Sequence, residues 1–219
     1  MDVIARLDRT RAATNVLEHP FYECWSAGEL SAGELGSYAG EYRHAVLALA
    51  DASAKAAEQA AEPERATLAR HAEEEVAHVA LWDAFASAAG ARTESLEDAS
   101  VQTRSCVRAW TAGEELLERL AVLYVLEASQ PEISRTKLDG LTEHYGYSAE
   151  GPACEYFRVH ELRDREHARE ARELIELLIS RHEDPDRCAD RMVSRASAAL
   201  RGNWQLLDGV PSREVLIAG

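Results

Sequence analysis

No apolar run in this chain approaches the roughly 20 residues a helix needs to cross a bilayer. Its opening segment, MDVIARLDRTRAATNVLEHP, has no apolar core of the signal-peptide kind. These absences predict a cytoplasmic protein. Runs of the strand-forming residues Val, Ile and Thr are missing, whereas Ala, Leu, Glu and Arg dominate, which predicts helix. Positive charge is scarce: 24 Lys and Arg stand against 39 Asp and Glu, a formal net charge of -15. The chain therefore lacks the basic face that nucleic acid or an anionic membrane surface requires. There is no Gly-rich phosphate loop and no G-x-S-x-G turn, so nucleotide and serine-hydrolase chemistry find no support. Cys24, Cys106, Cys154 and Cys188 are scattered, with no C-x-x-C pair. They read as reduced thiols that fill space.

What is present is enough for a full core. The chain has 219 residues, 46% of them hydrophobic, which suits one domain spanning 1–219. Punctuation predicts eight helices. The first runs from Asp2 to about Leu17, with Val3, Ile4, Leu7 and Val16 inward, and His19-Pro20 ends it. Ser31-x-x-Glu34 reads as a capping box opening a helix to about Ala60, and a third helix covers about 63–89. A fourth spans Ser100 to about Trp110. Thr111-x-x-Glu114 reads as a second capping box, opening a fifth helix to about Gln130, which Pro131 ends or kinks. The last three run to about Tyr145, from Pro152 to about Arg181, and from Pro185 to about Leu207. Short connections between long helices predict an all-α bundle.

The most specific motif is H-E-L-R-D-R-E-H. His160, Asp164 and His167 lie at offsets 0, 4 and 7, which return to nearly one azimuth on a helix. Two imidazoles and a carboxylate on one stripe can grip a divalent transition metal; the alternative is a solvated polar face. In R-H-A-E-E-E-V-A-H-V-A-L-W, His71, Glu74, Glu75 and His78 share a face. Glu75-x-x-His78 has the carboxylate-imidazole spacing of di-iron bundles, and Glu74 with His78 at i, i+4 can serve equally. Glu127 follows the apolar run Leu120 to Leu126 in a helix expected to be buried, where a carboxylate must be paired, protonated or metal-bound; Arg135 is a possible partner. Glu41, in a long helix, is a further possible ligand. Carboxylates and imidazoles from three or four helices suit a two-metal site of iron or manganese. The aromatic segment H-P-F-Y-E-C-W is expected to form a turn before the long helix, either as a packing corner or as the source of a reactive phenol.

These segments resemble the haem-oxygenase-like dimetal oxidases, the superfamily that also holds thiaminase-type and pyrroloquinoline-quinone-synthase-type proteins. The resemblance runs from about His19 to about Gly209. It is carried by H-P-F-Y-E-C-W-S-A-G-E-L, H-V-A-L-W, L-Y-V-L-E-A-S-Q-P-E-I-S-R-T-K, G-L-T-E-H-Y-G-Y and E-Y-F-R-V-H-E-L-R-D-R-E-H. It implies a seven- to eight-helix bundle around a dimetal site. His78, Glu127, His160, Asp164 and His167 would be ligands, with a glutamate before His78. Within the superfamily the chain resembles the self-sacrificing 4-aminobenzoate synthases, which have a longer spacer at that point. Direct alignment favours Glu74, and the shorter spacing of other members favours Glu75. Glu41 matches a carboxylate that is a ligand in some members only.

In those synthases a tyrosine of the protein becomes the aromatic ring and a lysine is implicated as nitrogen donor. The matching residues are Tyr22 and Lys137. The expectation is thus an O2-dependent non-haem dimetal oxidase, with iron or a manganese-iron pair, acting on a self-derived substrate. The alternatives are oxidation of a free small amine or amino acid, or an interaction protein without catalysis. A metal-free thiaminase-type enzyme would need a nucleophilic cysteine, and none of the four sits in such a motif. The resemblance also suggests a homodimer.

Overall fold

Helix ends follow local chemistry at most points. Asp2 caps α1 (Val3–Ala12), its carboxylate accepting from the Ile4 and Ala5 amides. The Ser31 capping box forms: Ser31 Oγ accepts from the Glu34 amide, and Glu34 Oε2 accepts from the Ser31 amide at 2.8 Å. It opens α3 (Ala32–Gln59). The remaining helices are α2 (Pro20–Ala27), α4 (Glu64–Ala88), α5 (Val101–Thr111), α6 (Leu116–Glu127), α7 (Gln130–Glu143), α8 (Pro152–Ile179) and α9 (Pro185–Asp208). A 3-10 turn covers Val16–Glu18. This computed structural model describes residues 2–92 and 95–210, and the other residues of the expected domain lie outside them.

The described residues form an all-α bundle, as expected, with eight of these nine helices where the punctuation put them. Three details differ. The first helix stops at Ala12, not Leu17. The H-P-F-Y segment is the helix α2 and not a turn: Pro20 sits in its first turn, His19 Nδ1 accepts from the Phe21 amide at 3.0 Å, and Gly28 closes it at φ 70°. The second capping box does not form. Ala112 is extended, Gly113 takes φ 144°, and the Glu114 amide donates to Glu118 within α6 instead.

α6 reads L-L-E-R-L-A-V-L-Y-V-L-E and is buried continuously from Leu120 to Glu127. A helix apolar on every side belongs in the interior, and α6 packs against α3, α8 and α9. The core has an aromatic part around Trp25, Tyr38, Tyr42, Trp82, Phe85 and Phe157. An aliphatic part gathers Ile4, Leu7, Leu68, Leu120, Ile175 and Met192. α4 enters the aliphatic part at Leu68 and the aromatic part at Trp82, whereas α8 runs from Tyr156 and Phe157 to Ala168 and Ile175. The two helices are therefore antiparallel, and each carries its buried His and acid residues in the stretch between the two apolar regions.

Candidate metal centre

On α8, His160, Asp164 and His167 are all buried, on the one face that offsets 0, 4 and 7 define. His160 Nδ1 lies 2.8 Å from the Tyr156 carbonyl one turn back, which fixes the proton there and leaves Nε2 free. His167 is held the other way. Its Nε2 lies 3.1 Å from Glu74 Oε2, and its Nδ1 faces Glu75 Oε1 at 3.7 Å and Asp164 Oδ1 at 3.8 Å.

On α4, the adjacent acids diverge as consecutive helical residues must. Glu75 is 1% exposed, and its Oε1 lies 3.4 Å from His78 Nδ1 and 3.6 Å from His71 Nε2. Glu74 points to the rim, where Arg163 Nη2 donates to both its oxygens at 2.8 and 2.9 Å and Arg70 approaches at 3.3 Å. From the end of α6, Glu127 is fully buried with Oε1 3.0 Å from His71 Nε2. Arg135 is not its partner; that guanidinium is exposed and faces Glu161.

Three helices thus supply the cluster. Glu41 on α3 is not brought there. Its carboxylate accepts from the Ser100 amide at 3.2 Å, at the start of α5, beside a surface groove of about 420 Å³ lined by Gly36, Gly40 and Arg92. His71, which the sequence placed on the same face but outside the expected ligand set, is brought in. Its signal was present in the i, i+4, i+7 spacing to Glu75 and His78.

The electrostatics are those of a buried mixed-charge cluster. Burial would raise the Glu75 carboxyl, but His71 and His78 outweigh it and hold the group well below the usual carboxylate range. Asp164 is pushed well up, by burial and then by Glu75 and Glu127. Burial pushes His160 down to about 4. Burial also opposes charge on His71, but Glu127 and Glu75 prevail and raise it to about 11 in the metal-free cluster.

The donor atoms fit a metal. His71 Nε2, Glu75 Oε1, His78 Nδ1, both oxygens of Glu127, His160 Nε2, both oxygens of Asp164 and His167 Nδ1 are buried with no aligned hydrogen bond. Without a metal, the opposite charges that these groups present to one another at 3.0–3.8 Å offset part of the burial, and a group left without such compensation costs about 1–3 kcal/mol. Ligands at about 2.1 Å from an octahedral ion stand about 3.0 Å apart, in the range of the spacings here. Imidazole with carboxylate suits iron.

Beside the cluster lies a second buried feature. Lys137 is 1% exposed, and its Nζ is 4.5 Å from the centre of the Tyr42 ring, 5.3 Å from Tyr38, 5.5 Å from Phe157, 5.6 Å from Trp82 and 5.8 Å from Tyr22. No carboxylate of the described residues pairs with it, and burial lowers it to about 7. Tyr22 is 2% exposed, and burial raises its phenol well above the ordinary value. Neither is a surface or turn residue. Trp82 joins this cage to the cluster: it meets the edge of Tyr156, which stacks on His160 at 3.8 Å. The cage residues were not legible as a group, because they come from α2, α3, α4, α7 and α8.

Comparison with known proteins agrees with this geometry. Residues 37–201 match the family described as iron-containing redox enzyme. The chain is 32% identical over 218 residues to a 4-aminobenzoate synthase of Chlamydia trachomatis, covering 95% of this chain and 91% of the relative. It is 30% identical over 228 residues to a 4-aminobenzoate synthase of Nitrosomonas europaea, covering 94% and 89%. Among solved structures, a TenA homologue from Pseudomonas syringae superposes with a TM-score of 0.78 at 17% identity, covering 95% of this chain and 90% of that one. A haem-oxygenase-like domain from Shewanella denitrificans, of unknown function, gives 0.77 at 17% identity, covering 96% and 92%. The chain therefore has the haem-oxygenase-like fold, belongs to the iron-containing redox enzymes, and is an oxidoreductase.

Proposed function

We propose that this oxidoreductase is an O2-dependent non-haem dimetal oxidase that forms 4-aminobenzoate from its own residues, Tyr22 giving the ring and Lys137 the nitrogen. The observation that carries the reading is the burial of the Lys137 amine in a cage of aromatic rings that includes Tyr22 and adjoins the His and carboxylate cluster. Two of the relatives reported above bear the name of that activity.

Glu75, His78, Glu127, His160, Asp164 and His167 would hold the two ions, iron or an iron-manganese pair. When bound, the ions supply the redox capacity to activate O2 beside an oxidisable phenol. The chain's own residues do the rest. Glu74 accepts from His167 Nε2 and the Tyr156 carbonyl from His160 Nδ1, so each ring turns its other nitrogen to the cluster. Desolvation keeps a large share of Lys137 as neutral amine near pH 7, with its lone pair available. It also keeps Tyr22 a protonated phenol. Tyr38, Tyr42, Trp82 and Phe157 exclude bulk water from both.

The test is mass spectrometry after incubation with Fe(II) or Mn(II), a reductant and O2. The expected result is released 4-aminobenzoate with a matching mass loss at Tyr22, and no product from Tyr22→Phe. Product from Tyr22→Phe refutes the self-sacrificing route.

One observation favours a second reading, oxidation of a free small molecule. A cavity of about 340 Å³, lined by Leu68, Leu120, Leu123, Leu174 and Leu177, reaches His71 and His167 from the surface. Many turnovers of an added amine or amino acid with Tyr22 intact would establish that reading instead.

A further inference from the structure

We propose that His71 is a seventh metal ligand, binding through Nε2, and that it completes a pair of metal positions related by a local twofold. This rests on the dimetal reading above but names a residue outside that six-residue set.

The two helices that face one another carry the same pattern. On α4, His71, Glu75 and His78 form H-x3-E-x2-H; on α8, His160, Asp164 and His167 form H-x3-D-x2-H. Because α4 and α8 run antiparallel, the first histidine of one motif meets the last of the other. The rings of His71 and His167 lie 3.8 Å apart between centroids at a tilt of 35°, and those of His78 and His160 meet edge-on at 4.5 Å. Each pair joins one histidine from each helix. Glu75 lies between the pairs, with Oε1 within 3.4–3.7 Å of His78 Nδ1, His71 Nε2 and His167 Nδ1. Donor atoms of His71, Glu75 and His167 all lie within 4.8 Å of one another, and so do those of Glu75, His78 and His160.

The contacts that His71 Nε2 makes in this cluster are to two carboxylates, Glu127 Oε1 at 3.0 Å and Glu75 Oε1 at 3.6 Å. His71 is 4% exposed, and Nε2 has no aligned hydrogen bond even though Glu127 Oε1 stands so near. An imidazole nitrogen and two carboxylate oxygens gathered this closely are ligand types that one cation can hold in place of the ion pair. Glu127 Oε1 stands beside His71, at the end of the cluster where His71 meets His167. The other end, where His78 meets His160, adjoins Tyr156 and the Lys137 cage.

The experiment is anaerobic titration of metal-free protein with Co(II) or Fe(II), read by stoichiometry and by absorption spectrum. The variants are His71→Phe, which retains a ring to pack against His167 but offers no nitrogen, and His71→Ala. Wild type should bind two ions with two distinct spectra. In His71→Phe, affinity for one ion should fall by more than the about 10–100-fold that loss of an outer hydrogen-bond partner brings, and the other ion should be unaffected. Free imidazole, entering by the 340 Å³ cavity that His71 lines, should restore the lost ion in His71→Ala. If His71→Phe binds both ions with wild-type affinity and spectrum, or imidazole restores nothing in a folded His71→Ala, His71 is only a cationic partner of Glu127 and the inference is overturned. A wild-type protein that binds fewer than two ions overturns the dimetal reading itself, and this inference with it.

Discussion

The Nζ of Lys137 lies 5.8 Å from the centre of the Tyr22 ring, in the interior of the bundle. On one continuous helix from Glu127, Lys137 would sit about 80° off the ligand face. It reaches the interior because α6 stops at Glu127 and α7 starts afresh at Gln130, with Pro131 in its first turn. Tyr22 arrives from the other side on α2. Trp25 of that helix donates Nε1 to the Lys137 carbonyl at 3.2 Å.

Lys137→Met should abolish 4-aminobenzoate and stabilise the fold. The folded amine, near 7, lies below its ordinary 10.5. Between those values the unfolded chain binds more protons than the folded one, so wild-type stability should rise as pH climbs from 7 towards 10.5. The shift corresponds to a cost on the order of 5 kcal/mol at pH 7, part of which Met should relieve. Denaturant titrations of both proteins at pH 7 and pH 9 check this; identical pH slopes would refute it.

Glu75→Gln and Glu74→Gln should part company. Glu75 Oε1 is buried among three histidine nitrogens, so its amide should cost at least one bound ion. Glu74 touches the cluster only through His167 Nε2 and is held by Arg163. Its amide should keep the stoichiometry and weaken affinity by about 10–100-fold. Elemental analysis and Fe(II) titration separate the two, and small equal effects would show that the run is only a charged face.

Gly140→Val should loosen the cage without touching a ligand. A Cβ at Gly140 would stand 2.5 Å from Trp25 Nε1, so α2 must move off α7. Overpacking of this kind costs about 1–3 kcal/mol. Urea unfolding should show that loss, and mass spectrometry should show less change at Tyr22 after incubation with metal and O2. Wild-type values in both would mean that Trp25 does not set the position of α2.

Metal should stabilise the bundle. Saturation at about 100 times the dissociation constant adds about 2.7 kcal/mol for each site, about 5–10 °C in a protein of this size. Differential scanning calorimetry of protein loaded anaerobically with Fe(II), against chelator-treated protein, measures it. An unmoved midpoint would mean that the orphaned donor atoms are satisfied in some other way.

Much was legible in the residues. Helix ends at Asp2, Ser31, Pro152 and Pro185 follow from capping and proline chemistry, which acts within one turn. The inward face of His160, Asp164 and His167 follows from the period of the helix. One failure was local in origin and another was not. Thr111 and Glu114 have the capping spacing, but Gly113 takes a backbone that no capping box uses. Adjacent Glu74 and Glu75 have the same chemistry, and which of them turns inward depends on where α8 lies.

The sequence by itself determined the helical class, the buried character of α6 and the residue types that can hold a metal, because propensity, period and burial of a charge are properties of short segments. Tertiary structure decided the membership of the site. It sent Glu41 to the Ser100 amide, gave Glu74 to Arg163 and His167, and brought His71 against Glu127. It also gathered Lys137 with aromatic rings from four other helices. Those outcomes depend on how antiparallel helices pack, and the spacing of residues along any one helix carries no record of what the next helix places opposite.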